Sequence, residues 1–250
     1  MESTLQEQRL LQPLDCLALL LSALCHDVQH PGTTNAFQVN TCSELALRYN
    51  DASVLENHHA ATAGALLARS RVLAPLSAAD FKALRRSMVT AILATDMSTH
   101  KSLLARVNAR MDGTGVGDAG AASAALGFDA ASECDRQLLV SFLLHTADLC
   151  NPLFPPPMSR RIACDLGREF AAQAAAERAA GMPITVMLAH DDVSQAMQEV
   201  GFITYCVQPL YEALARVSPG LGAHCMALID ANKRAWDAII NAASASGGSG

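Results

Sequence analysis

The chain has 250 residues, 51% of them hydrophobic, enough to bury a real core in one large domain or two small ones. Its net charge is −6 and it has no clustered Lys/Arg run, which argues against nucleic acid or an anionic membrane as partner. Aromatics are only 4% while alanine and leucine abound, and these are strong helix formers, so a helical protein is expected.

In chain order, residues 1–13 read as polar and loosely ordered. Leu14–Cys25 (LDCLALLLSALC) is apolar but too short to span a bilayer, and Asp15 interrupts it. It reads as a buried helix delivering His26-Asp27 rather than as a targeting signal. Pro31-Gly32 breaks the chain. Ser43 caps a short helix over 43–50, with Ala46 at its N3 position. A longer helix over Ser53–Arg69 carries Glu56, His58 and His59. Ser77 or Asp80 caps the next one, which runs to about Thr95, and Asp96 to about Met111 continues helical.

Residues 112–132 are rich in Gly, Ala and Ser and read as a flexible loop or insertion. No strand precedes them and no Lys-Ser/Thr follows, so a phosphate-cradling loop is a poor fit. Cys134–Ala147 is an apolar helix ending at Asp148. Asn151-Pro152 and Pro155–Pro157 force a turn. Ser159–Ala180 is helical and stops at Gly181. Gln195–Arg216, kinked at Pro209, and about Leu221–Asn241 are the last helices. Residues 242–250 read as a disordered tail. No alternating strand pattern and no repeat is present. The expected architecture is all-α, a single compact multi-helix domain over residues 1–241. Eight scattered cysteines without a CxxC pair read as reduced, mostly buried thiols of a cytoplasmic protein.

Three polar groups interrupt this apolar background. His26, Asp27 and His30 combine nitrogen and oxygen donors, and the i, i+4 spacing of the histidines would put them on one face of a local helix. Glu56 and His59 are i, i+3. Asp148 closes the apolar run LLVSFLLHTAD, where a buried carboxylate is costly unless paired or bound to a metal. Singly, each has an ordinary reading: a solvated pair, a helix cover, a turn residue before Asn151-Pro152. Together, in an acidic and helix-rich chain, they point to a metal site.

The segments HDVQHPG (26–32), Asn35, Asn40-Thr41, 43–50 and SVLENHH (53–59) resemble the signature of class I cyclic nucleotide phosphodiesterases. The match continues through ATDMS (94–98), ADLCNP (147–152), Glu169-Phe170, Gly181-Met182 and VGF (200–202). The resemblance implies an all-α fold of the HD-hydrolase type and metal-dependent hydrolysis of 3′,5′-cyclic nucleotides, cAMP or cGMP, to 5′-monophosphates. It implies that His26, Asp27 and Asp148 hold a first metal, usually zinc. Asp27 also matches the ligand of a second, usually magnesium or manganese. His30, Glu56, His59 and Thr95 match groups around the second metal and its waters. Asn151, Leu166 and Phe202 match the nucleotide pocket, with Phe202 stacking on the purine and Leu166 on its other side. Two metals in such sites clamp the attacking and leaving oxygens of an in-line displacement. The implied partner is the cyclic nucleotide; no nucleic acid and no membrane segment is expected.

Two departures from the family pattern stand out. The family carries two upstream histidines, a proton donor and a further zinc ligand, and no histidine precedes His26 here. The expectation is a catalytic domain truncated at its N-terminus, with no proton donor in this chain, or alternatively an inactive metal- or nucleotide-binding relative. The second departure is Glu199, which holds the position of the family's purine-reading glutamine, with Gln198 beside it. A glutamine donates and accepts, whereas a carboxylate only accepts. Gln29 replaces a more usual acid beside His30 and is expected to face solvent.

Overall fold

The computed structural model describes residues 10–113 and 127–247. All secondary structure among them is helical. They fall into two compact units, residues 1–148 with 216–218, and residues 149–215 with 219–250.

The first unit holds α1 (Pro13–Cys25), α2 (Asn35–Asn40), α3 (Glu44–Tyr49), α4 (Val54–Ser70), α5 (Ala78–Leu93), α6 (His100–Met111) and α7 (Glu133–Asp148). Its core sets alanines against larger aliphatic side chains. Ala60 and Ala63 of α4, Ala91 and Ile92 of α5, and Val140 and Leu144 of α7 form one buried cluster. Ala18 of α1 joins Leu73, Leu84 and Met88 in a second. Alanine on facing helices lets backbones approach closely, so the unit needs few aromatics.

Helix α1 packs on both α5 and α7. The Asp15 carboxylate accepts from Arg136 Nε of α7 at 2.8 Å and from the Gln12 backbone N–H at 2.9 Å. What interrupts the apolar run in sequence is thus a charge paired across two helices. The same helix is less buried than expected: Leu20 and Leu24 are exposed. Leu10, by contrast, is buried, and Leu11 packs on the Ala60 cluster, so the loosely ordered reading of residues 1–13 does not hold for that end.

Caps set most boundaries. Ser43 Oγ accepts from Ala46 N and Ser77 Oγ from Asp80 N, each at 3.1 Å. Asp96 ends the run before α6 by accepting from Ser98 N at 2.8 Å. Residues 114–126 of the expected flexible segment lie outside the described residues, but its end is fixed. Phe128 is buried, and the Asp129 N–H donates to Asp135 Oδ2 at 2.9 Å.

The second unit holds α8 (Pro156–Ala179), α9 (Asp192–Phe202), a π-helical turn (Ile203–Val207), α10 (Gln208–Val217, its last two residues belonging to the first unit) and α11 (Pro219–Gly247). Helix α8 starts three residues earlier than expected, because proline suits the first turn, where its missing N–H costs nothing. The expected kink at Pro209 is a widened turn instead. Pro209 would clash with the carbonyl four residues back, and the chain answers with an i→i−5 bond from Gln208 N to Ile203 O. Helix α11 runs on to Gly247, past the predicted stop at Asn241, since alanine and serine sustain it; residues 248–250 lie outside the described residues. The cysteines are all unpaired, but Cys16, Cys42 and Cys134 are exposed and only Cys225 is buried, contrary to the expectation of mostly buried thiols.

Close helix approach in this unit depends on Gly222. A Cβ there would stand 2.1 Å from Ala215 Cα, whereas one at Gly220 would meet nothing within 4 Å. Gly222→Ala should therefore cost about 3 kcal/mol, since overpacking forces backbone shifts. Gly220→Ala should be neutral or slightly stabilising. Urea denaturation of both variants against the parent chain checks this pair of outcomes.

Candidate metal centre

Helices α1 and α7 run parallel. Asp15 meets Arg136 near their N-terminal ends, and roughly three turns on, His26 meets Asp148 at their C-terminal ends. His26 is the C-cap of α1 and Asp148 the last residue of α7. The negative ends of two helix dipoles thus converge with two carboxylates, an arrangement that favours a cation.

The ligand geometry is compact. Single donor atoms of His26, Asp27 and Asp148 all lie within 4.8 Å of one another. His26 Nε2 is 3.1 Å from Asp148 Oδ1 and 3.7 Å from Asp27 Oδ2. Its other nitrogen, Nδ1, lies 2.9 Å from the Ala23 carbonyl. That contact makes Nδ1 the protonated nitrogen and turns Nε2 toward the carboxylates, as metal-binding histidines require. The bond to Asp148 pushes the His26 imidazole up to about 9, against the opposing effect of burial. A proton and a cation compete for the same lone pair. The donor set, one imidazole and two carboxylates with the Asp27 side chain 64% exposed, suits a divalent ion with an open coordination side.

Around this triad the sequence between Asp27 and His59 folds tightly. Gln29 is exposed in the left-handed region at φ 61°, so α1 ends before it and His26 and His30 are not neighbours on a helical face, as their spacing suggested. His59, buried on α4, donates through Nδ1–H to the Val28 carbonyl at 2.8 Å, and its Nε2 lies 3.8 Å from Asp27 Oδ1. Burial pushes the His59 imidazole down, so it stays neutral. The His30 ring stacks on His59 with centroids 5.7 Å apart. Glu56 accepts from Asn35 Nδ2 at 3.2 and 2.9 Å, while Asn35 Oδ1 accepts from Leu55 N at 2.8 Å. Burial raises the Glu56 carboxyl despite the Asn35 bond, with Asp96 and Asp27 adding to the rise. Thr95 is buried and its hydroxyl donates to the Ile92 carbonyl at 2.8 Å.

The four nucleotide-facing candidates lie in the second unit. Asn151 opens a 3₁₀ turn that Asn232 of α11 fixes by donating to the Pro152 and Phe154 carbonyls, both at 2.8 Å. The Asn151 Oδ1 is buried without a hydrogen-bond partner among the described residues. Cys164 Sγ donates to Gln195 Oε1 at 3.7 Å, and Gly167 leaves room beside Gln195, so α8 carries Leu166 next to α9. Glu199 is one turn beyond Gln195, and Phe202 ends the helix; both are half-buried, whereas Leu166 is 45% exposed.

Asn35, Asp96 and the His100–His145 pair were given no role from sequence, although Asn35 and Asp96 fall in the family-like segments and His145 in the apolar run before Asp148. Asn35 acts through bonds to residues about twenty positions away. Asp96 accepts from Ser53 Oγ at 2.7 Å, holding the start of α4. His100 Nδ1 and His145 Nε2 lie 2.8 Å apart, both rings buried. A histidine inside an apolar helix one turn before Asp148 was the available signal, since a buried imidazole needs a partner.

Comparison with known proteins agrees with this architecture. The model of the 3′5′-cyclic nucleotide phosphodiesterase family matches residues 1–228. The chain is 37% identical over 210 residues to the high affinity cGMP-specific 3′,5′-cyclic phosphodiesterase 9A of Drosophila melanogaster, covering 83% of this chain and 13% of that protein. It is 41% identical over 204 residues to the 3′,5′-cyclic-AMP phosphodiesterase 4C of Mus musculus, covering 81% of this chain and 29% of that protein. The phosphodiesterase domain of the Salpingoeca rosetta rhodopsin phosphodiesterase superposes with a TM-score of 0.84 at 36% identity, covering 93% of this chain and 68% of that one. A helical domain with a His-Asp-Asp cluster at the ends of two parallel helices is thus a phosphodiesterase-type fold. The chain belongs to the 3′,5′-cyclic nucleotide phosphodiesterase family. It spans well under half the length of the curated relatives it matches. No helix among the described residues is long and apolar enough to cross a membrane.

The histidine pair makes the fold acid-sensitive. Burial, with a smaller push from His100, lowers His145 to about 4, and burial with Lys101 lowers His100; Asp148 only partly opposes this at His145. Because the folded pKa lies below the unfolded value of 6.5, the unfolded chain binds more protons between about 4 and 6.5. Stability should therefore fall by about 2–3 kcal/mol as pH drops through that window. His145→Gln, which cannot titrate, should flatten that part of the profile. Thermal midpoints of both chains from pH 7 to pH 4 check it.

Proposed function

We propose that this chain forms part of a metal-dependent enzyme that hydrolyses 3′,5′-cyclic nucleotides, cAMP or cGMP, to 5′-monophosphates. The observation that carries this reading is the convergence of His26, Asp27 and Asp148 within 4.8 Å. Their donor atoms suit zinc in a first site, and Asp27, exposed beside His59, suits a share in a second site for magnesium or manganese. Divalent ions held there would bring a bound water's pKa toward neutrality and offset negative charge on the phosphodiester.

The chain's own residues divide the remaining tasks. The Ala23 carbonyl fixes which His26 nitrogen faces the site. Asn35 holds Glu56 by both carboxylate oxygens, and the Val28 carbonyl orients His59. His30, stacked on His59, and buried Thr95 complete the surroundings proposed for the second ion's waters. In the second unit Phe202 and Leu166 offer apolar faces to a purine, and Asn151 offers a carbonyl oxygen with unused capacity. A 3′ alkoxide leaving group is strongly basic and calls for a proton donor. A second reading is a relative that binds metal and nucleotide without turnover.

Metal content and cyclic nucleotide turnover separate the readings when measured on this chain and on an N-terminally extended version. Turnover only in the extended version is the expected result. Metal binding without turnover in both supports the non-catalytic relative. Asp148→Asn should weaken metal binding by ~100-fold or more, since even outer partners of a ligand are worth 10–100-fold. Metal stoichiometry unchanged by that substitution would overturn the assignment of the centre.

Glu199 gives a second handle. Burial alone pushes its carboxyl up, and no charged or hydrogen-bonding partner meets it among the described residues. While protonated it both donates and accepts, as glutamine does; once ionised it only accepts. A raised pKa keeps the donor to higher pH, and it is lost as pH climbs through that value. KM for the cyclic nucleotide should therefore rise with pH in the extended chain and stay flatter in Glu199→Gln. Parallel pH profiles in the two would show that Glu199 points away from the base.

A further inference from the structure

Ser43, Ser77 and Ser132 each stand just before a helix of the first unit, and each hydroxyl accepts from the backbone N–H three residues on. Ser53 stands just before α4, the helix that carries Glu56 and His59, and does not do this. It lies in the left-handed region at φ 39° and makes no side-chain cap bond. Forgoing a serine cap and holding a non-glycine residue at positive φ both cost stability. Something else must use the Ser53 hydroxyl.

That partner is Asp96. Ser53 Oγ donates to Asp96 Oδ2 at 2.7 Å, and Asp96 Oδ1 accepts from Ser98 N at 2.8 Å. Asp96 is buried, and both of its oxygens are committed. It ties the end of α5, next to Thr95, to the start of α4. The diverted hydroxyl also leaves the Glu56 N–H, the donor it would have taken as a cap, to another acceptor. Burial raises the Glu56 carboxyl; Asn35 and that same backbone N–H oppose the rise, while Asp96 and Asp27 add to it. The Glu56 carboxylate is thus held by Asn35 on one side and by its own N–H on the other, among negative charges that favour a cation nearby.

We infer that Asp96 is a positioning residue for the second ion of the proposed centre: by drawing Ser53 away from capping α4, it fixes the first turn of that helix and leaves Glu56 set to meet the ion's waters. The inference rests on the two-ion reading above. Asp96 acts through Ser53 and Glu56, not by contact with the ion. The stability forgone at the start of α4 is what this placement of Glu56 costs.

The test is manganese binding, read by electron paramagnetic resonance, on the whole chain loaded with one equivalent of zinc. Asp96→Ala and Ser53→Ala should each weaken manganese binding about 10-fold, the scale of an outer partner of a ligand, with zinc affinity unchanged. The double variant should be no weaker than either single one, because both act through one bond. Asp96→Asn can keep both bonds, its amide donating to Ser53 Oγ, and should bind nearly as the parent chain does. Each variant's thermal midpoint reports whether it folds; if Asp96→Ala does not, Ser53→Ala and Asp96→Asn decide. Parent-like manganese binding in the alanine variants overturns the role of Asp96 and leaves the two-ion reading standing. Equal losses of zinc and manganese mark a merely structural tie and overturn it too, as does a loss in Asp96→Asn as large as in Asp96→Ala. No manganese uptake by the zinc-loaded parent chain overturns the two-ion reading, and this inference with it.

Discussion

The parallel pairing of α1 and α7 is the constraint on which the rest depends. One cross-helix clamp, Arg136 on Asp15, sets their register near the N-terminal ends. With a common rise of about 1.5 Å per residue, that register delivers His26 and Asp148 side by side some three turns later. The two residues are far apart in sequence, yet no flexible loop has to be ordered to join them. The entropy of assembling the pair is spent in packing two helices, whose apolar faces are buried against α5 in any case.

Positioning the third ligand asks more of the backbone. Immediately after α1 the chain turns through Gln29 at φ 61°, and before α4 it passes Asn50, Asp51 and Ser53, all at positive φ. Left-handed conformations at non-glycine residues cost energy, and they persist where surrounding bonds over-determine them. Here those bonds are the His59–Val28 contact, the Asn35 bridge to Leu55 and Glu56, and the Ser53–Asp96 bond. They tie the turn after α1 to the first turns of α4 and to the end of α5. The density of motif residues between 26 and 59 reflects this: most of them hold the backbone in which Asp27 is presented.

Helices and caps were legible because they depend on neighbours in sequence. Ser43, Ser77 and Asp148 fall at or next to the ends of the helices expected for them. The grouping of His26, Asp27 and Asp148 followed from residue type and family resemblance, and the structure brings their donor atoms together. What sequence did not yield is non-local. Asn35 sits in a short helix with nothing local to mark its double bond to α4. A kink was expected at Pro209, but the chain forms a π turn there, which depends on how the neighbouring packing absorbs one extra residue and which no local pattern encodes. The end of α11 was misjudged because low complexity was read as disorder, although alanine and serine are compatible with a helix.

Two glutamates of the second unit show how burial sorts anchoring from open groups. Glu177 is buried near the end of α8, yet its carboxyl is held below the ordinary range by the Thr185 hydroxyl and backbone N–H and by Gln173. Every lone pair with a donor in reach is used, and the product is a loop pinned to a helix beyond Gly181, whose φ of 67° turns the chain back. Glu199 is less deeply buried, but its carboxyl moves the other way because nothing in the described chain donates to it. A half-buried carboxyl left without a donor is a standing cost, and a fold that satisfies Glu177 so fully shows that this unit can avoid such costs. Asn232 and Asn151 do not divide so cleanly: the Asn232 amide N–H groups pin the 3₁₀ turn, but the Oδ1 atoms of both residues are buried without a donor among the described residues. Among the described residues, then, the Glu199 carboxyl and the Asn151 and Asn232 carbonyl oxygens are the groups of this unit that carry such a cost.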